Sequence, residues 1–308
     1  MKRLLLFLLV ILSATASVRA AENAKTTSVT FYHTSDQHEH SAPMAQIAGF
    51  VEAQKKQQPN VLLVDTGDWF NKGDLTDLNT RGEAMAAMLG ACKYDAVIPG
   101  NHDYSFGTKR LAKLIDTHSL PLVAANCRWP EDIKPQQAVP SRIFKLEGVT
   151  VGIIGTATTI FGQRTDKLLE ILPIDESLRD VVTKLDEQVD VIVLLTHVGL
   201  EADRKLAVAL PRVDVIFGGH NHKRFAKLDF NAETQTVIQH SGCFGQHIGE
   251  LTLTLDGGKI VDRKVRLLNV TAEMPLSAAV EAVHAKYVPK PPVEEQPSPA
   301  VQEPVENR

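Results

Sequence analysis

Residues 29–38, VTFYHTSDQH, join an apolar, β-branched run to a polar end. The run from Val29 to His33 is typical of a buried β-strand. The polar end carries Asp36 and His38, and on an extended segment this spacing of two puts both side chains on the same side. A D-x-H pattern by itself is more often a turn, so its meaning depends on what recurs along the chain.

Four further apolar runs end in the same way, in carboxylate, amide or imidazole side chains. They are Val61–Val64 followed by DTGD, Ala96–Ile98 followed by PGNHD, Val191–Leu195 followed by TH, and Val213–Phe217 followed by GGHNH. Leu122–Ala124 and Val151–Ile154 are two more predicted strands. Ligands of open α/β sheets bind beyond the carboxyl ends of the strands. If the five strands are parallel neighbours, their polar ends meet at one edge.

The side chains expected at this edge could bind metal ions. They are Asp36, His38, Asp68, Asn101, His197, His220 and His222. Oxygen and imidazole donors without a thiolate suit Zn, Mn or Fe(II) better than Cu(I) or an iron–sulfur cluster. Each motif alone has a plain structural interpretation, such as a core histidine or a turn. Five such strand ends would rarely coincide, so the set predicts two ions that share a carboxylate.

Helical patterns separate the predicted strands. Residues 178–185 carry apolar side chains at the i, i+3, i+4, i+7 spacing of an amphipathic helix. Thr80 and Glu83 predict a capping box where another helix begins. From Thr236 onward the pattern is that of β-strands, with a hairpin turn predicted at Gly257-Gly258. This order of elements predicts an α/β fold with more than one sheet.

The two ends of the chain differ in composition from the rest. Residues 1–20 have a basic start, a short apolar run and an A-x-A-like site, which predicts a cleaved secretory signal peptide; the alternative is an uncleaved anchor. Residues 289–308 are rich in Pro and Glu and predict a disordered tail. We therefore expect one domain over residues 26–288 in a periplasmic or secreted protein, with no stable membrane insertion after signal cleavage.

Charge and cysteine content exclude some classes of function. The 308-residue chain has 33 basic and 37 acidic residues, and loss of residues 1–20, with three basic and no acidic residues, leaves a net charge of −7. Such a protein has no general attraction for nucleic acid, which argues against a nuclease.

Cys92, Cys127 and Cys243 lack the spacing of a zinc site. One disulfide with a leftover thiol, or three buried thiols, remain open.

In chain order the motifs D-x-H, G-D, G-N-H-D, H and G-H-x-H resemble those of the calcineurin-like metallophosphoesterase superfamily. The segments EGVTVGIIGTATT and QHSGCFGQHIGELTL make the catalytic domain of the 5′-nucleotidases the most similar group, over about residues 28–268. The resemblance implies a four-layer α/β/β/α sandwich of the metallophosphoesterase type. It also implies an exported hydrolase that uses two divalent metal ions (Zn, Mn or Fe) on phosphate esters.

The resemblance further implies roles for single residues. Asp36, His38 and His222 would bind the first ion, Asn101, His197 and His220 the second, and Asp68 both. His102 would stand near the leaving oxygen as a general acid or as a stabiliser of transition-state charge. Asn101 would also neutralise charge on the phosphoryl oxygens.

Two departures from the 5′-nucleotidase pattern affect the expected chemistry. Those enzymes read G-N-H-E-F-D, where the last Asp orients the catalytic His, whereas this chain has Ser105 in that place. We therefore expect Asp103 or Asp65 to orient His102, which makes Asp103 a candidate catalytic residue. Those enzymes also carry a C-terminal domain that binds the nucleoside, and in its place we expect only the tail of residues 289–308.

The predicted activity is that of a 5′-nucleotidase-like phosphomonoesterase acting on a small phosphorylated substrate, such as a nucleotide. One alternative is a phosphodiesterase acting on cyclic nucleotides or nucleotide sugars. A further alternative is a hydrolase that cleaves a sulfur-linked group at a site with two metal ions, since such a reaction uses the same kind of scaffold. The alternative from another class is a non-catalytic protein that binds phosphate compounds or metal. No nucleic acid is expected as a partner.

Overall fold

The structure is a computed structural model that describes residues 26–158, 168–225 and 227–288. The predicted signal peptide, residues 1–20, and the predicted tail, residues 289–308, lie outside the described residues. Within the three described ranges, none of the helices has the length and apolar character needed to cross a bilayer.

Strands and helices alternate through the first two thirds of the described chain, and strands dominate the last third. The strands are β1 (Thr27–Thr34), β2 (Val61–Asp65), β3 (Ala96–Val97), β4 (Cys127–Arg128), β5 (Ser141–Leu146), β6 (Val149–Gly155), β7 (Glu170–Ile171), β8 (Val191–Leu195), β9 (Val215–Gly218), β10 (Asp229–Phe230), β11 (Val237–His240), β12 (His247–Asp256) and β13 (Lys259–Asn269). The helices are α1 (Met44–Gln57), α2 (Glu83–Cys92), α3 (Thr108–Thr117), α4 (Ile174–Asp186), α5 (Leu200–Ala209) and α6 (Ala278–Tyr287), with 3₁₀ turns at Thr76–Leu78 and His102–Tyr104.

The first sheet has the strand order β13-β12-β1-β2-β3. Strands β1, β2 and β3 are parallel, whereas β12 and β13 run antiparallel to their neighbours. The predicted hairpin turn at Gly257-Gly258 is confirmed, because it joins β12 to β13 with φ angles of 54° and 79°. Two successive positive φ angles are what a two-residue type I′ turn requires.

The second sheet has the order β10-β11-β9-β8-β6-β5, in which β11, β9, β8 and β6 are parallel. The five strands that carry the polar ends are therefore not neighbours in one sheet, and the prediction of a single edge is wrong. Three of them belong to the first sheet and two, β8 and β9, belong to the second. The polar ends converge where the edges of two packed sheets meet.

Consecutive apolar residues of a strand are buried on opposite faces of its sheet. In β2, Val61 and Leu63 pack in a cluster with helices α1, α2 and α3, whereas Leu62 and Val64 pack in a cluster shared by both sheets. In β8, alternate residues likewise divide between the shared cluster and a third cluster with α4 and α5. Burial on both faces explains the continuous apolar runs. The predicted α/β class is confirmed.

One local prediction is wrong, and a second holds only in part. Leu122–Ala124 forms isolated bridges to Val97 and Val139 rather than a strand, and the preceding Pro121 cannot extend a ladder because it has no N–H group. The capping box forms only in part. The Thr80 hydroxyl accepts the N–H group of Ala84 in the first turn of α2 at 3.3 Å, but the Glu83 carboxylate contacts Arg110 and His118 instead of reaching back to the Thr80 N–H group.

The cysteines are free thiols. Cys92 is buried, and Cys127 and Cys243 are half-buried. Neither sequence-based alternative holds in full: the disulfide is absent among these three described residues, and only one of the thiols is fully buried.

Candidate metal centre

The predicted donors lie on turns with unusual backbone angles. Positive φ angles occur at Asp36 (52°), His38 (50°), Asp68 (60°), His220 (86°) and His222 (54°). Residues other than glycine rarely adopt this region, and strained residues of this kind cluster at functional sites. The expectation that Asp36 and His38 share one side of an extended segment is wrong, because β1 ends at Thr34 and both residues are left-handed.

Backbone hydrogen bonds fix the first two loops against each other. The N–H group of Asp36 donates to the carbonyl of Gly67 at 2.8 Å, and that of His38 donates to the carbonyl of Asp68 at 2.9 Å. Because β1 and β2 are parallel neighbours, these bonds continue their pairing into the loops. Asp36, His38 and Asp68 are therefore held in a fixed relation before any ligand binds.

Asp36, His38 and His222 form the first group of donors. Nε2 of His222 lies 3.2 Å from Nε2 of His38 and 3.4 Å from Oδ1 of Asp36. Nδ1 of His38 donates to the carbonyl of Phe70, at 3.2 Å, which leaves Nε2 with a free lone pair. Burial lowers the pKa of His38 to about 4, so its imidazole is neutral, as a metal ligand must be.

Asp68, His197 and His220 form the second group. Nε2 of His197 lies 3.1 Å from Oδ2 of Asp68, while its Nδ1 donates to the carbonyl of Thr66 at 2.6 Å. Nδ1 of His220 lies 2.9 Å from Oδ1 of Asn101. Oδ2 of Asp68 also lies 3.8 Å from Nε2 of His38 in the first group. The structure thus brings all seven predicted donors together, with Asp68 between the two groups.

The electrostatics of the centre fit a bound cation. Asp36 is fully buried, and its Oδ1 makes no hydrogen bond of good geometry. Burial alone would lower the pKa of His197, but the charges of Asp68 and Asp36 raise it to about 9. Burial would raise the pKa of Asp68, yet His197 and the His102 N–H group hold it well below its usual range. Asp36 and Asp68 are thus two buried carboxylates with only the His197 imidazolium, among the described residues, to balance their charge. Buried charges need such partners, and divalent ions would supply the missing positive charge.

His102 stands beside the two groups, with a ring nitrogen close to donors of His38 and Asp68. Its Nδ1 lies 3.4 Å from Nδ2 of Asn71, and the same amide donates to Oγ of Ser105 at 2.7 Å. Burial lowers the pKa of His102, so the ring is neutral at neutral pH.

Asp103 and Asp65 do not contact the ring of His102, so their prediction as orienting partners is wrong. The carboxylate of Asp103 is fully buried and accepts N–H groups of Gly100 (2.7 Å), Asp68 (3.0 Å), Trp69 (2.7 Å) and Phe70 (3.3 Å). Asp65 accepts from Gly67, from the Trp69 indole and from Thr34. Both carboxylates are thus occupied in fixing the loops after β2 and β3.

Two glycines, Gly219 and Gly100, allow the loops to approach the donors. A Cβ atom on Gly219 would lie 2.3 Å from Oγ of Ser35 and 2.8 Å from Nδ1 of His197. One on Gly100 would lie 2.2 Å from Oδ1 of Asp68. No side chain fits at either position unless the donors move.

Sequence reasoning missed Asn71 and Phe244. Asn71 follows Asp68 by three positions, and only its left-handed backbone (φ 68°) turns it toward His102. Phe244 lies on the loop before β12, and its ring centroid is 5.3 Å from that of His222. The segment GCFGQ, with a glycine on each side of Cys243-Phe244, was the available signal of a tight loop.

Comparison with known proteins agrees with this geometry. The family model for calcineurin-like phosphoesterases matches residues 29–224. The uncharacterized metallophosphoesterase YunD of Bacillus subtilis (strain 168) is 27% identical over 232 residues, which are 73% of this chain and 50% of that protein. A 5′-nucleotidase of Diplobatis ommata is 26% identical over 238 residues, which are 70% of this chain and 41% of that protein.

A solved structure extends the likeness to three dimensions. The crystal structure of a 5′-nucleotidase precursor from Thermus thermophilus matches with a TM-score of 0.74 at 25% identity, over 85% of this chain and 58% of that chain. The present chain spans about half the length of the curated relatives it matches, or less.

Proposed function

Because this chain belongs to the calcineurin-like phosphoesterase family, we propose that it hydrolyses phosphate monoesters in the manner of a 5′-nucleotidase. That it is a metal-dependent hydrolase of phosphoric esters follows from the family and its relatives. Relatives that are named 5′-nucleotidases support the finer proposal of a nucleotide-like monoester as substrate.

The observation that carries the proposal is the position of Asp68 between two groups of donors. We assign Asp36, His38 and His222 to one divalent ion, Asn101, His197 and His220 to a second, and Asp68 to both. When bound, such ions supply Lewis acidity that lowers the pKa of water and neutralises charge on phosphoryl oxygens. A set of imidazole and oxygen donors fits Zn, Mn or Fe.

His102 stabilises charge on the leaving oxygen in the proposed reaction. Its imidazole is neutral and half-buried, and it lies next to both donor groups. An amide hydrogen of Asn71 directed at Nδ1 keeps the single ring proton on Nε2. In that tautomer the Nε2–H group of His102 donates a hydrogen bond to the leaving oxygen and stabilises the charge that develops there.

Asn101 and the loop carbonyls orient the other side chains. Asn101 is nearly buried, and its Oδ1 faces Nδ1 of His220. The carbonyls of Phe70 and Thr66 accept from His38 and His197, so each ring presents Nε2 to the centre. Such outer contacts fix the tautomer and direction of a ligating histidine.

A substrate panel on metal-reconstituted protein tests the proposal. The panel contains adenosine 5′-monophosphate, p-nitrophenyl phosphate, bis-p-nitrophenyl phosphate, a cyclic nucleotide and a nucleotide sugar. We expect turnover of the two monoesters with a kcat/KM at least about tenfold above that of the diesters. Preferential turnover of the diesters would instead identify a phosphodiesterase.

Metal analysis separates an enzyme from a binding protein. Two tightly bound ions per chain without hydrolysis of any ester in the panel would overturn the catalytic proposal. Activity that disappears with a chelator and returns with Zn, Mn or Fe would support it.

We further propose that the protein is exported to the periplasm or secreted. The support is the composition of residues 1–20, together with a solved relative that is called a precursor. N-terminal sequencing of protein from fractionated cells should give a chain that begins at Ala21. A cytosolic chain that retains Met1 would contradict export.

A further inference from the structure

A cavity of about 410 Å³ lies beside the metal centre and plays no part in the assignment above. The residues that line it include two with aromatic rings, His40 and Phe244, and three with polar side chains, Gln46, Asp74 and Gln246. Its volume is in the range of small-molecule sites, and its lining combines aromatic surface with a few polar groups, as such sites do.

Phe244 is common to the cavity and to the metal centre. Its ring centroid lies 5.3 Å from that of His222, at an interplanar angle of 77°, and 5.8 Å from that of His38. Its N–H group donates to the carbonyl of Asp36 at 2.8 Å. The cavity is therefore separated from the proposed metal ligands by the width of one aromatic ring.

The loop around Phe244 is held in a strained, fixed conformation. Phe244 has a φ angle of 59°, which is rare for a bulky residue. The following Gly245 packs so closely on Pro43 that a Cβ atom would lie 2.3 Å from Cγ of that proline. Strain of this kind persists only where the surroundings enforce it, and it marks functional sites more often than ordinary loops.

His40 extends the aromatic wall. Its ring stacks on Phe244 at 4.4 Å between centroids, with 30° between the planes. Nδ1 of His40 lies 3.1 Å from the carbonyl of Gln37 and 3.2 Å from that of His38, so it is the donor and Nε2 is left as an acceptor. The wall thus offers π surface with hydrogen-bonding groups at its edge.

We propose that this cavity receives the leaving group of the phosphate ester, and that the leaving group carries a planar aromatic ring with a polar edge, as a nucleobase does. The inference rests on the proposed phosphomonoesterase function. Stacking on aromatic side chains recognises such rings, while amide and carboxylate groups recognise their edges. Gln46 and Gln246 supply amide edge groups, and Asp74 adds a carboxylate that also accepts from the N–H and hydroxyl groups of Ser41.

Two substrates with the same scissile bond test the subsite. Adenosine 5′-monophosphate and ribose 5-phosphate both carry the phosphate on a ribose 5′ oxygen and differ in the base. The full, metal-loaded chain should prefer the nucleotide in kcat/KM. Phe244→Leu should reduce that preference at least about fivefold, because base–aromatic stacking is lost, and Phe244→Tyr should keep it. Phe230→Ala, at a ring on the edge strand β10, is the matched control.

Two results would overturn the subsite. One is a wild-type enzyme that hydrolyses both substrates equally well. The other is an equal loss on both substrates in Phe244→Leu, which would mean that the ring only supports His38 and His222. Metal content, measured in every variant, shows whether those ligands are disturbed.

Failure of the proposed function gives a different result. If the wild-type chain hydrolyses neither substrate, saturation-transfer NMR can still measure whether ligands bind in the cavity. The ligands are adenosine and ribose, neither of which carries a phosphate. Adenosine binding that Phe244→Leu abolishes would support the subsite without catalysis. Absence of adenosine binding to the wild-type chain would disprove the subsite.

Discussion

Nδ2 of Asn71 lies 3.4 Å from Nδ1 of His102, and this contact takes the place expected for a carboxylate. The amide is itself fixed, because it donates to Oγ of Ser105 at 2.7 Å and the Asn71 N–H group donates to Glu39 at 2.8 Å. Ser105 in turn donates to the carbonyl of His102 at 2.5 Å. A carboxylate would accept the Nδ1 proton and favour an imidazolium, whereas an amide donor favours a neutral ring protonated on Nε2.

Asn71→Gly should lower kcat about tenfold to a hundredfold on alkyl phosphates, because His102 loses the group that fixes its tautomer. Glycine is the suitable replacement since Asn71 has a φ of 68°. The loss should be smaller on p-nitrophenyl phosphate, because its leaving group spreads its own negative charge and depends less on the hydrogen bond from His102. Steady-state kinetics over a series of leaving groups measures this. Equal loss on all esters, or loss of bound metal, would contradict a role through His102.

Asp68→Asn should abolish metal retention and activity together. The carboxylate lies within 3.8 Å of donors in both groups, so its loss removes the charge that both ions share. We expect activity below about 1% of wild type and loss of metal on gel filtration. Elemental analysis of the eluted protein checks the second point. Asp262→Asn, on the exposed side of β13, is the matched control; a variant at position 68 with two bound ions would disprove the bridging role.

Gly219→Ala should weaken metal binding about tenfold, since a Cβ atom there lies 2.3 Å from Oγ of Ser35 and 2.8 Å from the ring of His197. Gly257→Ala is the matched control, because no described residue lies within 4 Å of its Cβ position and its φ of 54° adds only local strain. Chelator competition measures both affinities. Equal affinities would mean that the loop after β9 moves aside at little cost.

The sequence is sufficient to predict which side chains converge, because each of them follows an apolar run that indicates a buried strand. It does not predict which sheet a strand joins. Val61–Asp65 and Val191–Leu195 are both buried on two faces, so their sequences look alike although they belong to different sheets. The orienting partner of His102 was also beyond prediction, since Asn71 reaches the ring only through a left-handed backbone angle.

Phe244 illustrates the same limit at the cavity. A phenylalanine in a glycine-rich segment is ordinary in sequence, and its importance comes from the hydrogen bond of its N–H group to Asp36, more than two hundred positions away in the chain. Motif order therefore predicts the candidate metal centre, while the groups around it depend on tertiary contacts between loops.

Asp103→Asn should destabilise the apo protein by about 3 kcal/mol, because an amide cannot accept four N–H groups and its own NH₂ would face two of them. Urea unfolding in the presence of a chelator measures this without a contribution from metal. The variant should keep the leaving-group dependence of the wild type. If it instead showed the dependence expected for Asn71→Gly, Asp103 would act on His102 after all.

Stability should fall in acid because of His33, which is fully buried in β1 and stacks on Phe217 at 4.4 Å. Burial lowers the pKa of His33 from 6.5 to about 3. Between these values the unfolded chain binds the proton and the folded chain does not, so stability rises with pH through this window. The contribution is complete above about pH 6.5 and declines by about 1.4 kcal/mol per pH unit below it. Chelated wild-type protein and His33→Leu, unfolded in urea between about pH 4.5 and 6, should therefore differ in slope by about this amount. Identical slopes would show that His33 takes up a proton in the folded state.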